Sequence, residues 1–89
     1  VKNKTIEITN KLGLHARAAA KLVQSASTFN CDVIVRYKEK EVSGKSIMGI
    51  MMLAASKGNS IEIITSGTDE DAALNAIESL IVNRFDENE

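Results

Sequence analysis

Two hydrophobic periods take turns along this chain, and each helical stretch carries only one apolar stripe; that pairing restricts the fold more than any other feature. Residues 4–9 alternate, with Ile6 and Ile8 on one side and Thr5, Glu7 and Thr9 on the other, as a half-buried strand requires. Residues 32–38 do the same, setting Val33, Val35 and Tyr37 against Asp32, Arg36 and Lys38 together with Ile34. The charged run from Lys38 to Glu41 predicts a turn into a short strand at Lys40–Ser43, and Ile61 and Ile63 against Glu62 predict a fourth strand at Ser60–Ser66.

Three helical patterns separate the strands. The alanine-rich run from Ala16 has strong helix propensity, and Ala19, Leu22, Val23 and Ala26 share one face; this helix should end between Ser27 and Asn30. Ser46 is placed as the N-cap of a second helix with Ile47, Ile50, Met51 and Ala54 in helical repeat and Gly58 as a stop. Thr68 is the expected N-cap of the third, where Asp69, Glu70 and Asp71 complement the dipole and Ala73, Ile77, Leu80 and Ile81 form the buried stripe. The order is βαββαβα. One-striped helices must all bury that stripe against something, and a single four-stranded sheet offers it most economically, so the expected class is an α+β open-faced sandwich with three helices on one face.

Composition narrows the function. Residues 1–89 contain no proline, no repeat and no linker-like segment, and 89 residues bury one core, so one domain is expected. Cys31 is the single cysteine and reads as a small core residue at a strand start. With no 18-residue apolar run and no charged-then-apolar leader in the sequence, a cytoplasmic location is expected. The tail from Asp86 to Glu89 is expected to fray.

The net charge of −1 hides a polarity: residues 1–45 carry nine basic and four acidic side chains, whereas residues 46–89 carry two and eight. Such an arrangement can steer an acidic partner toward one face. Nucleic acid is a poor match, because three aromatics (Phe29, Tyr37 and Phe85) and this charge supply neither stacking platforms nor a strong phosphate-neutralising field. No metal-ligand cluster, Ser-His-Asp set or glycine-rich nucleotide loop is present, so neither metal nor cofactor is expected.

His15 is the only histidine, and it falls where the Gly13-Leu14 loop meets the alanine-rich helix. Histidine is a weak N-cap, so capping does not account for it. The amides of Ala16, Arg17 and Ala18, the positive end of the helix dipole and the Arg17 guanidinium would converge on an anion attached to the imidazole. That would be a phosphate cradle with a nucleophile inside it; on spacing alone the residue also reads as a surface histidine at a helix start. The second helix carries more apolar side chains than one stripe can bury, and Met48 and Met52, an i, i+4 pair, are the first candidates for an adaptable docking patch with Ile47, Met51 and Lys45.

Gly13-Leu14-His15-Ala16-Arg17, after a strand and opening a helix, resembles the phosphohistidine motif of the histidine-containing phosphocarrier (HPr) family of the bacterial phosphotransferase system. Lys45-Ser46-Ile47-Met48-Gly49-Ile50 is similar to the regulatory serine site of that family, and the element order covers essentially the whole chain. The resemblance implies a monomeric relay protein that is not itself an enzyme. His15 would accept a phosphoryl group from phosphorylated enzyme I and pass it to an acceptor protein of the enzyme IIA type, with sugar transport as the output. Arg17 would stabilise the phosphate, and Ser46 would be the target of an HPr kinase. Two positions depart from the pattern: Ala18 stands where the family usually has proline, and Leu12 where many sugar-branch members have a polar side chain. Ile8-Thr9-Asn10-Lys11-Leu12-Gly13 looks more like the nitrogen-related branch, whose output is regulatory. A purely regulatory relative using Ser46 alone would lack the histidine, which is intact here.

Overall fold

The computed structural model describes residues 1–87. The strands are β1 (Lys2–Glu7), β2 (Asp32–Tyr37), β3 (Lys40–Ser43) and β4 (Ser60–Ser66); the helices are α1 (Ala16–Ser27), α2 (Ile47–Met52) and α3 (Glu70–Val82). The strands form one sheet in the order β1-β4-β2-β3, every neighbouring pair antiparallel. This spatial order is invisible to periodicity, which fixes a strand's faces but not its neighbours.

One face of the sheet and the inner sides of the helices make the core. Ile6, Val33, Val35, Ile61 and Ile63 meet Ala19, Leu22 and Ala26 of α1, Ile50 of α2 and Ala73, Ile77 and Ile81 of α3. Each large aliphatic side chain so buried contributes about 1.5–3 kcal/mol relative to exposure. Val23 and Leu80, placed in stripes by their spacing, lie half-buried at the margin of this core. The opposite face carries a polar row. Arg36 donates to Glu41 at 2.7 Å and to Glu62 at 2.9 Å, and Asn3 donates to Glu62 at 2.7 Å. Helices therefore cover one face only, as the single stripes require.

Several boundaries differ from the pattern-based reading. β1 starts and ends two residues earlier than residues 4–9, while Ile8 stays fully buried and exchanges backbone hydrogen bonds with Asn59 and Gly58. The β2–β3 hairpin closes with Tyr37 opposite Lys40, leaving Lys38 and Glu39 as a two-residue turn with Lys38 at φ 56°, where glycine or asparagine is usual. α2 stops at Met52: Ala54, expected inside the repeat, sits at φ 56°, so the left-handed stop comes before Gly58. Asp69 rather than Thr68 is the N-cap of α3, and its side chain makes no capping bond. Instead its carboxylate accepts the Asn30 and Cys31 amides at 2.8 and 2.9 Å, tying the start of β2 to the start of α3. Cys31 is buried as expected, and burial, followed by its contact with Asp69, pushes its thiol up.

Candidate functional site

The loop after β1 is fixed at both ends before it reaches His15. Asn10, fully buried, donates from Nδ2 to the Gly13 carbonyl at 2.8 Å, and the Leu14 amide donates to Ala55 O at 3.1 Å. Gly13 lies at φ 65° against that same segment, and a Cβ there would come within 2.7 Å of Ala55 O and Ser56 Cα. Only glycine combines this backbone with so close an approach. The consequence is that the loop preceding α1 is clamped to the residues just after α2.

His15 is the N-cap of α1, with extended backbone (φ −73°, ψ 178°) and no side-chain capping bond. The helical ladder starts with the Ala19 amide donating to His15 O at 2.8 Å, so the amides of Ala16, Arg17 and Ala18 lie ahead of it. The Ala18 side chain is fully buried although its N–H belongs to this first turn. His15, Ala16 and Arg17 line one cleft of about 600 Å³, together with Lys11, Leu12 and Lys21. Arg17 is exposed, and Leu12 is 65% exposed at the rim. The histidine, the helix start and the guanidinium singled out by spacing thus share one site.

Asp86 and Glu87 line the same cleft, against the expectation of a frayed tail; Asn88 and Glu89 lie outside the described residues. His15 Nε2 is 2.5 Å from Glu87 Oε2, and Asn10 Nδ2 donates to Glu87 Oε1 at 3.1 Å. Burial alone would push the Glu87 carboxyl up, but the hydrogen bonds from His15 and Asn10, with the Lys21 ammonium nearby, hold it below the usual carboxylate range.

A left-handed turn brings Glu87 there. Arg84, Phe85 and Asp86 have φ of 58°, 54° and 62°. Left-handed backbone costs about 1–2 kcal/mol for each non-glycine residue, so this turn persists only where tertiary contacts impose it. Those contacts are the fully buried Phe85 ring, Lys21 Nζ donating to Phe85 O at 2.6 Å, and the Asp86 and Glu87 amides donating to Asn83 O and Arg84 O. Of its three residues only Asp86 is a turn former, and no glycine or proline marks the turn, so sequence reasoning read the segment as tail.

Ser46 is the N-cap of α2, and its Oγ accepts the Gly49 amide at 3.0 Å. Beyond it Ile47, Met48, Met51 and Met52 are all exposed, Met48 at 71% and Met52 at 68%. Ile47 and Met51, expected in the buried stripe as well as in the patch, belong to the patch alone; Ile50 and then Leu53 face the core. Lys45 donates from Nζ to Phe29 O at 2.9 Å, so it is anchored beside the patch. Among the described residues there is no group of three or more His, Cys, Asp or Glu side chains able to hold a metal, and no helix long and apolar enough to cross a membrane.

A four-stranded sheet covered on one side by three helices thus presents a histidine at the start of the first helix, in one cleft with Arg17. Comparison with known proteins agrees. The family model for the PTS HPr component phosphorylation site matches residues 2–83. The chain is 59% identical over 85 residues to the phosphocarrier protein HPr of Pseudomonas aeruginosa, covering 94% of each chain, and 54% identical over 85 residues to that of Neisseria meningitidis, covering 96% of each. It belongs to the HPr family of phosphocarrier proteins of the phosphotransferase system. Among solved structures it superposes on HPr of Thermoanaerobacter tengcongensis with a TM-score of 0.96 at 47% identity, each chain fully covered. A dimeric structure of HPr from the same organism matches with a TM-score of 0.79 at 48% identity, over 98% of this chain and 100% of the other.

Proposed function

We propose that this chain relays a phosphoryl group through His15, accepting it from phosphorylated enzyme I and delivering it to an acceptor protein of the enzyme IIA type in the cytoplasm. The observation that carries this reading is the position of His15: an N-cap that does no capping, beside three first-turn amides and Arg17 in one open cleft. With Nε2 held by Glu87, the ring nitrogen left for attack is Nδ1. The donor's N–P bond breaks as the N–P bond on His15 forms, in line, with no change in the kind of bond. Such a near-balanced exchange asks mainly for alignment and for neutralisation of the phosphoryl charge, which the helix start and Arg17 supply. The protein is a substrate and donor for its partners, not an enzyme, and the chemistry needs no cofactor.

In the same reading the Ile47, Met48, Met51 and Met52 surface with Lys45 is where the partners dock, and Ser46 is phosphorylated by an HPr kinase. Incubation with purified enzyme I and phosphoenolpyruvate, followed by mass spectrometry under conditions that keep acid-labile phosphate, tests the central step. Wild type should gain one phosphoryl group and His15→Ala none; labelling that persists in the variant refutes the assignment. The nitrogen-related branch is the second reading. It is favoured by Leu12, an apolar side chain 65% exposed at the cleft rim where many sugar-branch members have a polar one. Transfer from the labelled protein to sugar-specific or nitrogen-related IIA acceptors separates the two.

A further inference from the structure

Glu87 offers its two oxygens to two donors at once, His15 Nε2 at 2.5 Å and Asn10 Nδ2 at 3.1 Å. An ionised carboxylate can only accept, so a neutral imidazole in this contact donates from Nε2 and keeps its lone pair on Nδ1. The carboxylate is itself held from three sides. Asn10 reaches Glu87 and the Gly13 carbonyl with the same amide nitrogen, which ties the carboxylate to the loop that sets the ring. Lys21 of α1 fastens the Phe85 carbonyl, and the Phe85 ring is locked in the core. This is more structure than a chance surface pair requires. The side chains of the pair are only 25% and 13% exposed.

We propose that Glu87 is a positioning residue for phosphoryl transfer, holding His15 with Nε2–H inward and Nδ1 outward and facing the positive charge that the ring acquires when phosphorylated. The inference rests on the reading of His15 as the phosphoryl acceptor. In the step, the Nδ1 lone pair forms the new N–P bond while the donor's N–P bond breaks and its electron pair returns to the donor. No proton leaves His15. The Nε2–H stays in place, the ring becomes a phospho-imidazolium, and the Glu87 carboxylate meets that charge directly. In the return step the carboxylate keeps Nε2 protonated, so that a neutral imidazole rather than an imidazolate leaves as the electron pair returns to Nδ1. The other charged groups lining the cleft are Lys11 from the loop, Arg17 and Lys21 from α1 and Asp86 from the turn. Arg17 and the first-turn amides of α1 are left for the phosphoryl oxygens, a task Glu87 cannot share.

Two variants test this in the full chain with purified enzyme I and phosphoenolpyruvate. Glu87→Ala should slow phosphorylation of His15 about tenfold, the expected effect of losing one charge-assisted hydrogen bond at a partly exposed site. Glu87→Gln keeps an acceptor oxygen without the charge and should fall between alanine and wild type. In both, the pH profile for hydrolysis of the isolated phosphoprotein should move toward acid, because the phospho-imidazole protonates less readily without the carboxylate. The Nε2 proton of the unphosphorylated protein, visible by NMR in wild type, should exchange too fast to observe in the alanine variant. A purely structural clip would shift none of these in a glutamine variant that melts like wild type. Wild-type transfer rates and an unmoved profile in the glutamine variant overturn the proposal even if the alanine variant unfolds. Labelling that survives in His15→Ala instead overturns the underlying reading, and this proposal with it.

Discussion

Around His15 four side chains hold fixed places: Asn10 spans the loop, Glu87 holds the ring, Lys21 fastens the turn and Phe85 fills the core beneath it. Across the clamp at Ala55 and Ser56, α2 shows the reverse. Its exposed side is four flexible or branched apolar side chains with no polar tie among them, held up by one serine cap and by Ile50 below. The first region is fixed by directional bonds and a costly backbone; the second is adaptable surface on a six-residue helix. Group transfer tolerates little misplacement, whereas docking against more than one partner gains from side chains that repack.

The largest way to break this contrast is Phe85→Ala. Removing a fully buried ring should cost about 3–5 kcal/mol, and the left-handed turn should relax with it. Denaturant titration reads the first effect, and loss of the His15–Glu87 contact by NMR the second; a stable variant that keeps the contact would show that the turn is held from elsewhere.

Acid should act next, and on the tied regions first. The Asn30 amide, together with Cys31 and against the cost of burial, holds the Asp69 carboxyl below its ordinary value of 3.8. The Gly67 amide and then the N-terminal ammonium hold Glu70 low, and Glu87 is also held low. A carboxyl depressed by folding contributes stability that is present above its unfolded value and is lost as pH falls through the folded one. Stability should therefore fall below about pH 4, and Asp69→Asn should be weaker at pH 7 and less sensitive to acid. Urea midpoints from pH 7 to pH 3 check both signs.

Smaller effects sharpen the α2 side. Ser46→Ala should cost about 1 kcal/mol through the lost cap, while Ser46→Asp should leave the melting temperature equal or slightly higher yet weaken transfer from enzyme I. If repulsion is the cause, that deficit shrinks as salt is raised. Ala18→Pro should be neutral or stabilising by about 0.4–1 kcal/mol, because its amide lies ahead of the ladder that Ala19 begins. A clear loss would mean that the buried site has no room for the ring. Met48→Ala and Met52→Ala should each move stability by no more than about 0.5 kcal/mol, so any loss in transfer reports docking.

What the sequence revealed divides along the same line. β3 follows the charged turn that predicts it, β4 falls where alternation places it, α1 ends within the expected window, and His15, Arg17 and the capping Ser46 sit where local pattern put them. All of these are properties of a dozen neighbouring residues. What stayed hidden depends on distant ones. Glu87 meets His15 across 72 positions of chain through a left-handed turn that holds no glycine or proline, and Asp69 gives up capping to bind amides 38 and 39 positions away. The shortness of α2 was hidden too, because Met51 and Ala54 keep a helical spacing that the left-handed backbone at Ala54 overrides.

The strand order has a consequence for how the molecule comes into being. β4 lies between β1 and β2, and it pairs Lys2 with Thr65 and Glu7 with Ser60. A nascent chain that has emerged only as far as residue 59 can close the Tyr37–Lys40 hairpin, yet its first strand has nothing to pair with. Joining segments so far apart in sequence requires closing a long loop, which slows the event relative to local hairpin closure. In pulse-labelled refolding, the amides of the β2–β3 hairpin should gain protection before those of β1, with β1 and β4 becoming protected together.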